Sequence, residues 1–166
     1  MFTLAEAVAF AGQLRASGKT IVFTNGVFDL LHPGHVRYLQ HACNLGDALI
    51  VGINSDRSVR AVKGPGRPIN PERERAEVLA ALASVDAVVI FDEETPFEII
   101  SAIAPDVLVK GADWAENAIV GRDIVEARGG KVVRAAIETG YSTTALIGKI
   151  RGSEGERMQG YEDVRM

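Results

Sequence analysis

The chain has 166 residues, 47% of them hydrophobic and 24% charged, which is enough for one domain with a real core and ordinary for a soluble globular protein. A formal net charge of −4 gives no global field for nucleic acid, so a polyanion site has to be a local positive patch. The single Cys43 excludes an internal disulfide and suits a reducing cytoplasm; no signal peptide is visible at the N-terminus, and no apolar run approaches the ~20 residues a membrane span needs.

Thr3-Leu4-Ala5-Glu6 is a capping box, and Leu4, Ala7, Val8, Ala11 and Leu14 follow on one helical face until Gly18 closes the helix. That helix is expected to pack on a sheet and to carry no chemistry. Thr20-Ile21-Val22-Phe23 reads as a buried strand. Thr24-Asn25-Gly26-Val27-Phe28-Asp29-Leu30-Leu31-His32-Pro33-Gly34-His35 comes next, and then a helix over Val36–Ala42. A strand, a turn with small residues and a helix N-terminus make a ready phosphate site. Gly26 lets the backbone turn, Pro33 suits the first helical turn, and Gly34 leaves room for a ligand. His32 and His35, three apart, share one face if the first turn includes both. The blander readings are a capping turn with two solvated histidines, or a zinc site. Few ligands exist for the second, since only His41 lies near a usable spacing.

Asp47–Ile53 is a second, near-continuous apolar strand, as a parallel sheet covered on both faces requires. Asn54, Ser55 and Asp56 leave its C-terminal end, where ligands bind in open α/β sheets. Lys63-Gly64-Pro65-Gly66-Arg67-Pro68 is either a solvated loop or a lid that brings Lys63 and Arg67 over a polyphosphate. Asn70 and Pro71 read as N-cap and first residue of the next helix, in which Arg75 shares the spacing of Val78, Leu79 and Leu82. Spacing alone leaves Arg75 open between a structural arginine and a phosphate ligand.

Val85–Phe91 is the third strand; Thr95-Pro96-Phe97-Glu98 reads as another capping box, and Pro105 ends that helix. Asp106–Gly111 is the fourth strand with its exit, followed by Asp113 and Trp114, which suit either ligand contact or packing. A helix over Gly121–Arg128 and a fifth strand over Lys131–Ala136 follow. Gly140-Tyr141-Ser142-Thr143-Thr144 opens the last helix with Ser142 as N-cap, its hydroxyls suited to capping or to an anion. From Gly152 the chain is polar and aperiodic, so one domain over residues 1–151 and a tail over 152–166, disordered or docked as a partner segment, are expected. Strands alternating with helices give an α/β class with a parallel sheet and right-handed crossovers.

The H-P-G-H of residues 32–35, with G-V-F-D before it, resembles the H-x-G-H signature of the nucleotidyltransferase superfamily. T-N-G-V-F-D-L-L-H-P-G-H, G-I-N-S-D, K-G-P-G-R-P-I-N-P, V-L-V-K-G-A-D-W and G-Y-S-T-T-A-L-I-G-K-I together resemble the adenylyltransferase domain of bacterial heptose-phosphate enzymes, from Thr20 to about Ile150. The resemblance implies a Rossmann-like fold with helices on both faces of a five-stranded parallel sheet, in the order 3-2-1-4-5. The implied reaction is transfer of AMP from ATP to D-glycero-β-D-manno-heptose 1-phosphate, giving ADP-heptose for lipopolysaccharide. It further implies Mg²⁺ carried on the ATP phosphates with no protein metal ligand, a homodimer, and a separate sugar kinase. Glycerol 3-phosphate cytidylyltransferases are also similar, through G-x-D-W and S-T-T, and give the alternative of CTP with a polyol phosphate. A non-catalytic nucleotide-binding regulator is the alternative of another class. An NAD-dependent oxidoreductase is disfavoured, because no G-x-G-x-x-G follows the first strand.

For the site, the resemblance implies His32 and His35 as donors to the triphosphate, with Lys63 and Arg75 holding the leaving pyrophosphate. Thr24, Asn25, Gly26, Val27, Phe28, Asp29, Gly34, Lys110, Gly111, Asp113, Trp114, Tyr141, Ser142, Thr143 and Thr144 would surround the nucleotide. Asn54, Asp56 and Arg67 would meet the acceptor.

Overall fold

A computed structural model describes residues 1–112, 115, 118–136 and 140–160. The chain order is α1 (Leu4–Ala16), β1 (Ile21–Gly26), α2 (Pro33–Cys43), β2 (Ala48–Asn54), α3 (Asp56–Lys63), α4 (Glu72–Ala80), β3 (Ala87–Phe91), α5 (Phe97–Ile103), β4 (Val107–Gly111), α6 (Arg122–Ala127), β5 (Lys131–Ala135) and α7 (Thr143–Gly160). The five strands pair in the order β3-β2-β1-β4-β5, all parallel, as expected.

Alternation along each strand divides the core between the two faces of the sheet. Ile21, Phe23, Ile50, Val89 and Leu108 join Ala7 and Ala11 of α1, Ile99 and Ile103 of α5 and Val125 of α6 in one buried cluster. Val22, Leu49, Val51, Val88 and Val109 join Leu39 of α2 and Ala76 and Leu79 of α4 in the other. Successive strand residues point to opposite faces, so continuous apolar runs serve a sheet buried on both sides.

Three aspartates hold the N-terminal ends of the strands in register. Asp47 accepts from Thr20 N at 2.7 Å, Asp86 from Leu49 N at 2.8 Å and Asp106 from Ile21 N at 2.8 Å. Each stands just before its own strand and takes up an amide that opens the neighbouring one. The opposite, C-terminal, edge is thereby left as the end at which loops converge on the switch point between β1 and β4.

Several local expectations change. The capping box at Thr3 and Glu6 forms, but Leu4 and Val8 of the expected apolar face stay exposed, and the buried side rests on Ala7 and Ala11. The segment after β2 is a two-turn helix, α3, with Ser55 as N-cap, so Lys63 ends a helix instead of opening a loop. Helix α4 starts at Glu72 with Pro71 at the N-cap position, and Asn70 lies outside it. No side-chain cap forms at α5, whose N-cap position is Pro96. The last helix, Thr143–Gly160, continues past Gly152 into the segment for which a disordered or docked tail is expected.

Candidate active site

The loop after β1 is shaped by two buried ionic groups. Asp29, 2% exposed, accepts from Ile69 N at 2.8 Å, Asn70 N at 3.0 Å and Arg67 Nε at 2.5 Å. Arg75, also 2% exposed, donates to the carbonyls of Val27 at 2.6 Å, Asn54 at 2.8 Å and Asn70 at 3.0 Å, and to Asp56 Oδ1 at 2.8 Å. Four acceptors from four segments meet one planar guanidinium, which therefore ties the ends of β1 and β2 to the start of α4. Against the expected pyrophosphate contact, four of the five N–H donors of Arg75 meet acceptors inside the protein, and the residue is not among those lining the cleft. Asp56, its ion-pair partner, also lies outside the cleft lining.

Between these anchors the chain reverses through Phe28, whose φ of +47° lies in the left-handed region that bulky residues rarely adopt. The Phe28 ring is buried and meets His35 edge-on, centroids 5.3 Å apart. A strained residue fixed on all sides sets the course of the loop into α2.

His32 is the N-cap of α2, with Pro33 next, and its Nδ1 accepts from His35 N at 3.3 Å. In the neutral ring this leaves the proton on Nε2, a donor for a ligand. The rings of His32 and His35 stack with centroids 3.8 Å apart and planes 16° apart. Tyr141 continues the stack, 6.0 Å from His32, with the Arg37 guanidinium 5.7 Å from the Tyr141 centroid. Gly34 gives the rings room: a Cβ would stand 3.1 Å from both His32 Nδ1 and Tyr141 Cβ, close enough to press on them. Burial, together with the neighbouring His32, lowers the His35 pKa to about 4, against an opposing pull from the Leu30 carbonyl. Burial likewise lowers that of His32. Both imidazoles are therefore neutral at pH 7, and each has an N–H to give. His35 Nδ1 is a buried nitrogen with no hydrogen-bond partner among the described residues.

Helix α7 closes the site. Ser142 Oγ caps it by accepting from Ala145 N at 3.0 Å, and Thr143 Oγ1 donates to Leu30 O at 3.3 Å. Lys110, 7% exposed at the end of β4, bonds Asn25 Oδ1 across the β1–β4 boundary. The resulting cleft of about 560 Å³ is lined by His32, His35, Lys63, Lys110, Tyr141 and Thr144, among others. Asn25, Gly26, Val27, Phe28, Asp29, Gly34, Gly111, Ser142 and Thr143 line it too, as do Asn54 and Arg67 of the expected acceptor set.

Thr24 does not line it: buried in β1, its hydroxyl bonds Tyr38 Oη at 2.7 Å and Val109 O at 3.0 Å, so it braces the strands. Asp113 and Trp114 lie outside the described residues. Unforeseen lining residues are Glu94 and Pro96 after β3, Ile119 and Val120 before α6, and Tyr38, Val62 and Ala136. The acidic run Asp92–Glu94 at a strand's C-terminal end was the available signal for the first of these. Among the described residues no group of three His, Cys, Asp or Glu side chains could hold a metal ion.

The cytidylyltransferase-like family matches this chain over residues 23–149. The bifunctional protein HldE of Syntrophotalea carbinolica is 55% identical over 136 residues, which are 82% of this chain and 28% of that protein. The HldE protein of Hyphomonas neptunium is 55% identical over 144 residues, 85% of this chain and 30% of that protein. The chain thus spans less than a third of the length of these relatives. Among solved structures, the lipopolysaccharide core biosynthesis protein of Thermoplasma volcanium superposes with a TM-score of 0.61 at 29% identity, covering 75% of this chain and all of that one. With the H-P-G-H turn at the start of α2 and the matched stretch running from β1 into α7, the chain belongs to the cytidylyltransferase-like family.

Proposed function

We propose that this chain is an adenylyltransferase that moves AMP from ATP to D-glycero-β-D-manno-heptose 1-phosphate, forming ADP-heptose and pyrophosphate. The observation that carries the reading is the stacked, neutral His32–His35 pair beside the start of α7, at the mouth of a cleft large enough for a nucleotide. The choice of heptose rests on the set of sequence motifs and on the likeness to HldE proteins over most of this chain.

In the reaction an oxygen of the acceptor phosphate attacks the α-phosphorus in line. The bond from that phosphorus to the bridging oxygen breaks, and pyrophosphate leaves with the electron pair. The nucleophile is already an anion, so no general base is needed; the protein has to align the groups and offset charge on the phosphoryl oxygens. His32 Nε2–H and the N–H of His35 donate to those oxygens. Neutral donors held by stacking and by an N-cap keep their places as charge shifts. Lys63, exposed at the cleft rim, screens the departing pyrophosphate, and Lys110, positioned by Asn25, supplies a buried positive charge at the β1–β4 boundary. Magnesium enters as part of the Mg–ATP substrate, held by the phosphates. The 1-phosphate acceptor has to come from a sugar kinase activity, and a homodimer is the proposed assembly.

The test is a grid of ATP and CTP against heptose 1-phosphate, mannose 1-phosphate and glycerol 3-phosphate, read by pyrophosphate release. ATP with heptose 1-phosphate is expected to give the highest kcat/KM. A preference for CTP with glycerol 3-phosphate would replace the assignment, and ATP binding without pyrophosphate from any acceptor would make the chain a nucleotide-binding regulator.

A further inference from the structure

We propose that Glu94 is the specificity residue that reads the hydroxyl groups of the acceptor, at the β2–β3 end of the cleft. This rests on the transferase reading above and concerns which half of the cleft takes which substrate.

The cleft is chemically divided along the sheet. The histidine pair, Lys110 and the start of α7 gather where β1 meets β4 and β5. On the other side stand Asn54 at the end of β2, and Glu94 and Pro96 in the loop between β3 and α5. That loop is braced onto α3. Ser58 Oγ donates to Glu93 O at 3.1 Å and accepts from Asn54 Nδ2 at 3.0 Å, and Arg57 pairs with Asp92 at 2.9 Å. Glu94 therefore follows directly on Asp92 and Glu93, which are tied to the start of α3 and, through Ser58, to Asn54.

Among the described residues the other carboxylate lining the cleft, Asp29, is consumed by Arg67 and two amides. Glu94 is exposed, and no described group bonds or pairs with it. A carboxylate facing a cleft for polyphosphate repels its ligand unless it meets another part of it. In-line displacement puts the acceptor opposite the pyrophosphate across the α-phosphorus. With pyrophosphate toward the histidines and α7, the acceptor extends toward β2 and β3. There an ionised carboxylate accepts strongly from sugar hydroxyls, while Pro96 gives an apolar wall beside it. A charge-assisted bond to a hydroxyl that the competing ligand lacks is a means of discrimination. The site thus fits a polyhydroxylated phosphate and disfavours a bare phosphate.

The test uses Glu94→Gln, an exposed and nearly isosteric change, in the full chain. Sugar phosphate binding is measured by calorimetry on protein saturated with a non-hydrolysable ATP analogue, and turnover is measured beside it. Heptose 1-phosphate and mannose 1-phosphate are the probes, with inorganic phosphate as the control. Expected is a roughly tenfold to hundredfold loss of sugar phosphate affinity, with the ATP analogue and inorganic phosphate within about twofold of the parent. Unchanged sugar phosphate affinity, no sugar phosphate binding by the parent, or a loss confined to the ATP analogue would each overturn the proposal. If the parent turns over no acceptor and yet binds sugar phosphate in a Glu94-dependent way, the transferase reading fails and the role of Glu94 stands.

Discussion

Two residues that look alike in sequence terms, His35 and Arg75, part company in the structure. His35 lines the cleft with a neutral ring held by stacking, so His35→Ala removes a donor aimed at the phosphates. Removing one such preorganised donor costs about 3–4 kcal/mol of transition-state stabilisation. Turnover is expected to fall at least a hundredfold, with ATP affinity within about tenfold; near-normal turnover would remove His35 from catalysis. Arg75 instead has four of its five donors turned inward. Arg75→Ala leaves three carbonyls and Asp56, all half-buried, without this partner, a loss of about 3 kcal/mol. The urea midpoint should drop sharply without nucleotide present. A phosphate-ligand role would instead leave that midpoint unchanged and raise the KM for ATP. The spacing of Arg75 with Val78, Leu79 and Leu82 placed it near the buried stripe. It could not say whether the guanidinium reaches out of the core or deeper in, because that depends on carbonyls from β1 and β2 that are remote in sequence.

Among the elements, strands were legible because a sheet covered on both faces demands long apolar runs, and Ile21–Phe23, Leu49–Ile53 and Val107–Val109 satisfy that demand. Helix α3 was not legible. It is short and mostly polar and buries only Ser58 and Val59, so it lacks the apolar stripe that announces a core helix, and its signal was the Ser55 cap. Its presence changes the case of Lys63, which a helix end holds at the cleft rim. Lys63→Ala should weaken nucleotide binding or slow pyrophosphate release with no change in melting temperature, and an unaltered rate and affinity would return it to solvent. Strand register follows from the aspartates at the opposite edge. Asp106→Ala leaves the Ile21 amide without its acceptor where β1 starts, between β2 and β4. A loss of about 1–3 kcal/mol in chemical denaturation is expected, with the kinetic constants unchanged. A stability equal to the parent's would show that water replaces the carboxylate.

At the scale of the whole molecule, the site burdens the fold, and pH exposes the burden. Strand order was reached through likeness of motifs, since alternation of strands and helices fixes the class but not the sequence of neighbours. What the order does is bring the His32–His35 turn and Lys110 to one edge, at the cost of holding two imidazoles in partial burial. Unfolded histidine titrates near 6.5, whereas folded His35 titrates at about 4. Between these values the unfolded chain binds more protons than the folded one, so folding stability falls as pH drops through that window. It is undiminished above about pH 7 and the loss is complete below about pH 4, with His32 acting in the same direction. For His35 the loss is at most about 3 kcal/mol, reduced by the exposed part of the ring. Carboxylates also titrate there, so the measurement is a difference: urea midpoints of the parent and His35→Gln at pH 7.5 and 4.5. The variant should lose less stability on acidification than the parent. Equal losses would mean that the His35 ring is solvated in the free protein and that its neutral state at the phosphate site has to be imposed by substrate.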